Sequence, residues 1–454
     1  MPDRDLTVCV VGTGHIGLPL AAVLADAGFR VTGYDINDEF LTRVSTTRSA
    51  GYIEEGLDEL LGRTLHHGLT LSSSPPVAHD VYIITVGTPV DPATGRPTIE
   101  KVRQSIQQLA PRFGPDPLVI LRSTVTIGTS RSVVLPEMVR HAPRFGLAFC
   151  PERTIEGRAI GEMKSLPQIV GGLDRASADR AEALFRRITD KIVRVSSLEA
   201  AEMIKLMNNT YRDMTFAFAN EMALMAERLG LSAAELIRAA NLDYARSNIA
   251  RPGFVGGPCL EKDALILIDS LDRLDFRLGT VQAARETNSR LPDQVAGRIL
   301  GELAALGRGP AGARVVISGF AFKGVPSTED VRGSAAIPVM QRLQAAGVEV
   351  WGHDFVTPEK VIAGLGARTC SLEEGCVGAD ALLVMNNHAG YSGVDVARLA
   401  AAMRRPALVF DSWSMFAAER FVAAPDVRYG AIGNPFTWLG SERPLPRAAE
   451  RPDA

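Results

Sequence analysis

The sequence predicts an α/β protein: two doubly wound, mostly parallel sheets joined by a helical segment with one long central helix. Three observations carry this expectation. Short apolar strand runs alternate with helical patterns over the first 196 residues, and from about 197 to 300 the helical period persists without β-branched runs. At about 313 the strand–helix alternation returns.

The elements follow in order. Residues 6–11, Leu-Thr-Val-Cys-Val-Val, read as a buried parallel strand, an apolar helix follows at about 15–28, and 30–35 reads as the next strand. That is a βαβ unit. Further strand runs lie at 81–86, 118–122, 147–150 and 168–171. Helical periods cover 199–229 and 233–241, with one long helix over roughly 198–229. The second α/β set has strands at 314–318, 348–352, 381–385, 408–411 and 427–432. The resulting domains are 1–196, 197–300 and 310–440, with Gly307-Arg308-Gly309-Pro310 as a linker. The segment 441–454, rich in Pro, Arg, Glu and Ala, reads as a disordered tail.

Composition narrows the function. The 454 residues carry 49 Lys and Arg against 52 Asp and Glu, a net charge of −3. No basic surplus points to nucleic acid or an anionic membrane, so an anionic substrate must be held by local groups. No apolar run approaches the roughly 18 residues of a membrane-spanning helix. Nothing at the start reads as a signal peptide. Cys9, Cys150, Cys259, Cys370 and Cys376 are odd in number, widely spaced and without a CxxC pair. A reduced, cytoplasmic protein without a metal site is expected.

Gly12-Thr13-Gly14-His15-Ile16-Gly17 follows the first strand and opens the first helix. Gly12 permits the tight turn, Gly14 lets a pyrophosphate approach the backbone, and Gly17 lets helix and strand pack closely. His15 and Ile16 lie inside the same cofactor-binding turn. Asp35 ends the second strand at about the spacing expected of a ribose-binding carboxylate. It would accept a bond from the 2′-hydroxyl and repel a 2′-phosphate, so the expected cofactor is NAD. Thr88-Pro89 and Ser123-Thr124 close two later strands at the sheet edge where ligands bind. Either threonine reads as a polar contact near the nicotinamide or, equally, as a plain strand-to-loop transition.

The second chemical signal is Gly256-Gly257-Pro258-Cys259-Leu260-Glu261-Lys262-Asp263. A helical pattern follows, placing Cys259 near a helix N-terminus, where amide dipoles favour the thiolate. Asp263 lies one turn on, and Lys262 adds a cation. A glycine turn is a poor place for core packing, whereas Cys9 and Cys150 sit inside strand patterns and read as small hydrophobes. A hydride acceptor plus a thiolate able to hold an aldehyde suggests oxidation of an alcohol to an acid. Lys205 and Asn209 stand at i and i+4 on the long helix; from spacing alone an ordinary solvated face is the better reading.

Together these residues resemble the UDP-glucose/GDP-mannose dehydrogenase family, over about residues 6–435. The resemblance rests on Gly12 to Gly17 with Asp35, Thr88-Pro89, Ser123-Thr124-Val125, Pro151-Glu152-Arg153, Lys205 with Asn209, Asn220-Glu221, Gly256 to Asp263, and Gly319 to Lys323 with Asp330 and Arg332. It implies two Rossmann-like domains and a helical domain whose long helix helps form a homodimer. It implies Cys259 as nucleophile and Lys205 as the cation stabilising oxyanions at C6. Asn209 and Asp263 would position a water and take part in proton transfer, Glu152 would be the acid/base of the thioester stage, and Thr124 would orient water. Thr88, Pro89, Thr124 and Lys262 join the NAD contacts. Glu152, Arg153, Glu156, Lys205, Asn209, Arg251, Gly256, Lys323 and Arg332 are the implied contacts to a UDP-sugar, with Arg251 reaching a neighbouring subunit's site.

Pro151-Glu152-Arg153 and Asn208-Asn209-Thr210-Tyr211-Arg212-Asp213 resemble the UDP-N-acetylhexosamine branch, which serves polysaccharide biosynthesis. The Lys262-Asp263 pair resembles the UDP-glucose branch, and His15 replaces an aromatic common in the fingerprint. The leading expectation is a UDP-N-acetylhexosamine 6-dehydrogenase, with UDP-glucose second. A single-step hydroxy-acid dehydrogenase and a non-catalytic NAD-binding sensor are the rivals.

Overall fold

Strands flanked on both sides need two apolar faces, and the central runs of this chain supply them. The structure is a computed structural model and describes residues 6–91, 94–272, 274–421 and 426–439. The expected disordered tail at 441–454 lies outside the described residues. Two compact units take up the chain: Met1–Thr210 with Lys262–Arg277, and Tyr211–Glu261 with Leu278–Ala454.

The first unit is built on eight strands: β1 Thr7–Val11, β2 Arg30–Tyr34, β3 Leu69–Ser72, β4 Val81–Ile84, β5 Leu118–Leu121, β6 Gly146–Phe149, β7 Gln168–Gly172 and β8 Ile192–Val195. Their order is β3-β2-β1-β4-β5-β6-β7-β8, with β6 and β7 antiparallel and the other pairs parallel. Alternation along β1 divides the core. Val8 and Val10 pack with Leu18, Leu24 and Ile83 on one side. Cys9 and Val11 pack with Tyr82, Ile84 and Val102 on the other. Helix α1, Gly17–Asp26, covers the first of these faces.

The second unit repeats the plan with β9 Arg314–Ser318, β10 Glu349–His353, β11 Arg368–Thr369, β12 Ala381–Val384, β13 Ala407–Asp411, β14 Val427–Ala431 and β15 Asn434–Trp438. The order is β11-β10-β9-β12-β13-β14-β15, parallel except for β14 with β15. Four further helices matter below: α2 Ala159–Ser165, α3 Leu198–Arg228, α4 Leu260–Asp272 and α5 Gly279–Ala305. Helix α3 has 31 residues and matches the long helix expected at 198–229.

The expected fold class is the observed one. β3, β8, β11 and β15 were not anticipated, for a physical reason. β3 and β8 are half-exposed four-residue strands, β11 has two residues, and β15 is an edge partner containing Pro435. Edge strands need no continuous apolar run.

The turn before α1 separates two kinds of glycine. A methyl on Gly17 would lie 1.9 Å from the Gly12 carbonyl oxygen and 2.6 Å from Thr85 Oγ1, whereas a methyl on Gly14 would meet no protein atom within 4 Å. Gly17→Ala is therefore expected to cost about 2–3 kcal/mol or more by overpacking. Gly14→Ala is expected to keep stability within about 1 kcal/mol while weakening NAD about tenfold or more. Thermal melts and NAD titrations of the two variants check this; equal melting temperatures would contradict it.

Candidate active site

The cofactor end is built by β1, β2 and α1. Gly12 donates its N–H to the Tyr34 carbonyl at 2.7 Å, closing the turn. The Asp35 carboxylate directly follows β2 and is held in place: Oδ2 accepts from the Thr13 amide at 2.7 Å and Oδ1 from the Asn37 amide at 3.0 Å. Helix α1 has no side-chain cap and no acidic residue in its first turn, so its amide dipoles face outward without a competing anion. The open surface at Gly14 fits a pyrophosphate there. The His15 ring packs on Tyr52 with centroids 4.1 Å apart. These features fit a dinucleotide.

A polar circuit links α3 and α4 within the first unit. The Asp263 carboxylate on α4 is fully buried; Oδ2 accepts from Asn209 Nδ2 at 2.6 Å, and Oδ1 pairs with Lys262 Nζ at 3.2 Å. Lys262 Nζ also reaches Thr88 Oγ1 at 3.4 Å, and that hydroxyl donates to the Thr124 carbonyl at 2.5 Å. Lys205 is 8% exposed and Asn209 9%, so the solvated-face reading of this pair fails. Both point inward because α3 lays this face against the β5 side of the sheet core, where Leu198 and Ala201 are fully buried with Val119 and Leu121.

Glu152 is the second buried carboxylate. Its Oε2 accepts from Arg122 Nη2 at 2.6 Å and Nε at 3.0 Å; its Oε1 accepts from the amides of Arg153 at 2.7 Å and Thr154 at 2.9 Å. Burial pushes this carboxyl up, but Arg122, the Thr154 amide and Lys205 outweigh burial and hold it below the usual carboxylate range. Arg122 also binds the Cys150 carbonyl and Gln168 Oε1, both at 2.9 Å. The Arg153 guanidinium donates to the Pro167 carbonyl. Glu156 lies on the same loop, before α2, and is partly buried. Arg122 escaped the sequence reading; the available signal was a charge ending a two-sided apolar strand, which must be paired.

The second unit holds Arg251, Gly256, Cys259, Lys323 and Arg332. Cys259 is exposed and immediately precedes α4. Cys9, Cys150 and Cys376 are buried. Burial pushes Cys150 and Cys376 up to about 12 and Cys370 to about 11, which removes them as thiolates near neutral pH. The Cys259 loop lies tightly on the turn after β9. A methyl on Gly256 would be 2.2 Å from the Gly333 carbonyl oxygen, and one on Gly257 2.6 Å from the Phe322 ring. Lys323 Nζ sits 5.2 Å from that ring's centroid, and Arg332 forks onto Asp330, with Nε 2.8 Å from Oδ2. The sequence therefore brings the thiol's loop and two candidate anion-binding cations to one place. Arg251 lies over Trp413, 5.9 Å from the ring centroid.

Residues not anticipated in role fix this loop from beneath. Asn220 on α3 brackets Gly253, donating to its carbonyl at 3.0 Å and accepting from its amide at 2.8 Å. Asn288 on α5 accepts from Asn220 Nδ2 through its Oδ1 at 2.9 Å and donates its Nδ2 to Asp213 Oδ1 at 2.8 Å. Arg285 pairs with Asp213 at 3.1 Å.

Comparison with known proteins gives the class. Models of the UDP-glucose/GDP-mannose dehydrogenase family match in three parts: the NAD binding domain at residues 6–189, the central domain at 199–290 and the UDP binding domain at 316–418. A UDP-N-acetyl-D-mannosamine dehydrogenase of Pyrococcus horikoshii is 31% identical over 412 residues, 89% of this chain and 94% of that one. A solved UDP-D-ManNAc dehydrogenase structure from Pyrococcus horikoshii superposes with a TM-score of 0.83 at 29% identity, covering 94% of this chain and 99% of that one. A UDP-glucose dehydrogenase from Pyrobaculum islandicum also gives 0.83, at 26% identity over 96% and 99%. This chain belongs to the UDP-glucose/GDP-mannose dehydrogenase family and is an NAD-dependent nucleotide-sugar dehydrogenase.

Removing Arg122 tests the charge pairing. A depressed carboxyl contributes stability above its unfolded value of about 4.3 and loses it as pH falls through the lower folded value. Arg122→Ala strands the buried charge and is expected to cost about 3–5 kcal/mol at neutral pH. In that variant Glu152 gains stability by protonation, so the deficit is expected to narrow below about pH 5. Denaturant unfolding between pH 4 and 8 reads it; a deficit constant with pH would contradict the assignment.

Proposed function

We propose that this chain oxidises the C6 hydroxyl of a UDP-N-acetylhexosamine, with UDP-N-acetylmannosamine the first choice, to the acid in two oxidations through a covalent bond to Cys259. The observation that carries the covalent step is the contrast among cysteines: Cys259 is exposed at the start of a helix, and Cys9, Cys150 and Cys376 are buried. NAD, when bound, accepts the hydrides. The chain does the rest. Lys205 stabilises the oxyanion at C6 in each step. The Cys259 thiolate adds to the aldehyde carbon to give a thiohemiacetal, and loss of the second hydride leaves a thioester. Asn209 and Asp263 hold the attacking water, with Thr124 orienting it. Glu152, kept ionised, serves the thioester stage as acid/base. Water breaks the C–S bond, returning the thiolate. The balance is RCH2OH with two NAD+ and one water to RCOO− with two NADH and three protons.

Residues 1–196 are assigned to the dinucleotide and 310–440 to the nucleotide-sugar, with Arg153, Glu156, Gly256, Lys323 and Arg332 among the sugar-nucleotide contacts. Residues 197–300 are assigned to a homodimer contact in the cytoplasm. Tyr211, Phe218 and Met225 support the dimer: they recur every seventh residue on α3 and are 69, 50 and 48% exposed. Among the described residues, no helix is long and apolar enough to cross a membrane. The choice of sugar is supported by Pro151-Glu152-Arg153 and by the mannosamine relative. The Lys262-Asp263 pair and the similarly folded UDP-glucose enzyme favour UDP-glucose as the second reading.

An NADH assay across UDP-N-acetylmannosamine, UDP-N-acetylglucosamine, UDP-glucose, UDP-galactose and GDP-mannose tests this. Two NADH per UDP-N-acetylmannosamine are expected from the wild type, and no acid from Cys259→Ser. One NADH per sugar, or normal acid release by the serine variant, would contradict it.

A further inference from the structure

The α3–α4 circuit has a second closure on the far side of Lys205. Glu202 stands one turn before Lys205 on α3 and is 1% exposed. Its Oε2 accepts from the Gly128 amide at 2.6 Å and its Oε1 from the Ser130 amide at 2.8 Å. Those amides belong to the loop that leaves Thr124. The same loop is held from α4, where Ser270 Oγ accepts from the Ile127 amide at 3.0 Å. The Thr124 carbonyl is held by Thr88, Thr88 by Lys262, Lys262 by Asp263, and Asp263 by Asn209, which returns to α3. Lys205 therefore sits between two latches on one helix, Glu202 three residues before it and Asn209 four after.

A carboxylate this buried is costly unless its oxygens are satisfied. Here two amides from one loop satisfy them. The same loop meets α3 again through the more exposed Arg131–Glu199 pair at 2.6 Å. That rim pair binds side chain to side chain and contributes little. Glu202 binds backbone, so it fixes the path of the chain. Nothing about α3 itself requires an acid at this position, which faces the core beside Leu198 and Ala201.

Resting on the reaction proposed above, we infer that Glu202 is a positioning residue: it latches the Thr124 loop to the helix carrying Lys205 and Asn209, and so sets the spacing between the groups that orient water and those that stabilise the oxyanion. Small displacements of such groups cost rate more than binding.

The test compares wild type, Glu202→Gln and Glu199→Gln. A glutamine keeps the shape but turns an N–H toward one of the two amides. Glu202→Gln is expected to lower kcat about tenfold or more, to leave the KM for NAD within about threefold, and to raise the isotope effect on kcat with sugar deuterated at C6 as hydride transfer becomes more limiting. Glu199→Gln, which removes only the rim pair, is expected to keep kcat within about twofold. A folded Glu202→Gln with wild-type kcat and isotope effect overturns the inference, as does a loss that disappears when rates are corrected for the folded fraction. If the glutamine variant does not fold, Glu202→Asp, which keeps the charge but loses reach, is expected to lower kcat with the same isotope signature; wild-type kcat there overturns the inference too. Absence of UDP-sugar turnover by the wild type would instead overturn the functional reading, and the inference with it.

Discussion

A fully buried carboxylate at Asp263 is the constraint on which the first unit's polar circuit depends. Taking that charge out of water costs several kcal/mol unless it is paired and hydrogen-bonded. Asn209 and Lys262 answer the demand at 2.6 and 3.2 Å. Because Asn209 is on α3 and Lys262 on α4, satisfying one carboxylate fixes two helices against each other. The lysine then extends the ordering to Thr88 and, through its hydroxyl, to the backbone at Thr124. Electrostatic need, rather than apolar packing alone, sets the geometry here.

The second unit solves a different problem, holding an exposed thiol on a glycine turn. Such a turn has little side-chain packing of its own, so it is fixed from both sides. Gly256 and Gly257 lie against Gly333 and Phe322 with no room for a methyl. Asn220 grips Gly253 by both backbone groups, and Asn288, Asp213 and Arg285 brace Asn220. These buried side chains come from two helices, α3 and α5, and hold the backbone at Gly253, six residues before Cys259.

Much of this was legible in the sequence. The paired sheets follow from unbroken apolar runs such as 81–84 and 118–121, which only two-sided burial explains. The fingerprint with Asp35 announced its cofactor, and the glycine turn singled out Cys259. Spacing failed at Lys205 and Asn209: i, i+4 polar pairs look alike on buried and solvated faces, and burial is decided by tertiary contacts that the helical period does not encode. The pairing roles of Arg122, Glu202 and Asp213 stayed hidden for a related reason. Each is a charge whose partner lies far along the chain, at Glu152, at the amides of Gly128 and Ser130, and at Arg285. The edge strands β8 and β15 were missed because edges need no apolar continuity.

The central claim is a covalent bond between the substrate's C6 carbon and Cys259. Acid quenching of the wild-type enzyme during turnover of its UDP-sugar with NAD, followed by peptide mass spectrometry, reads it most directly. The account predicts a uronyl adduct on the peptide containing Cys259, removed by hydroxylamine as a thioester must be. An unmodified Cys259 peptide throughout turnover, or an adduct on another residue, would contradict it.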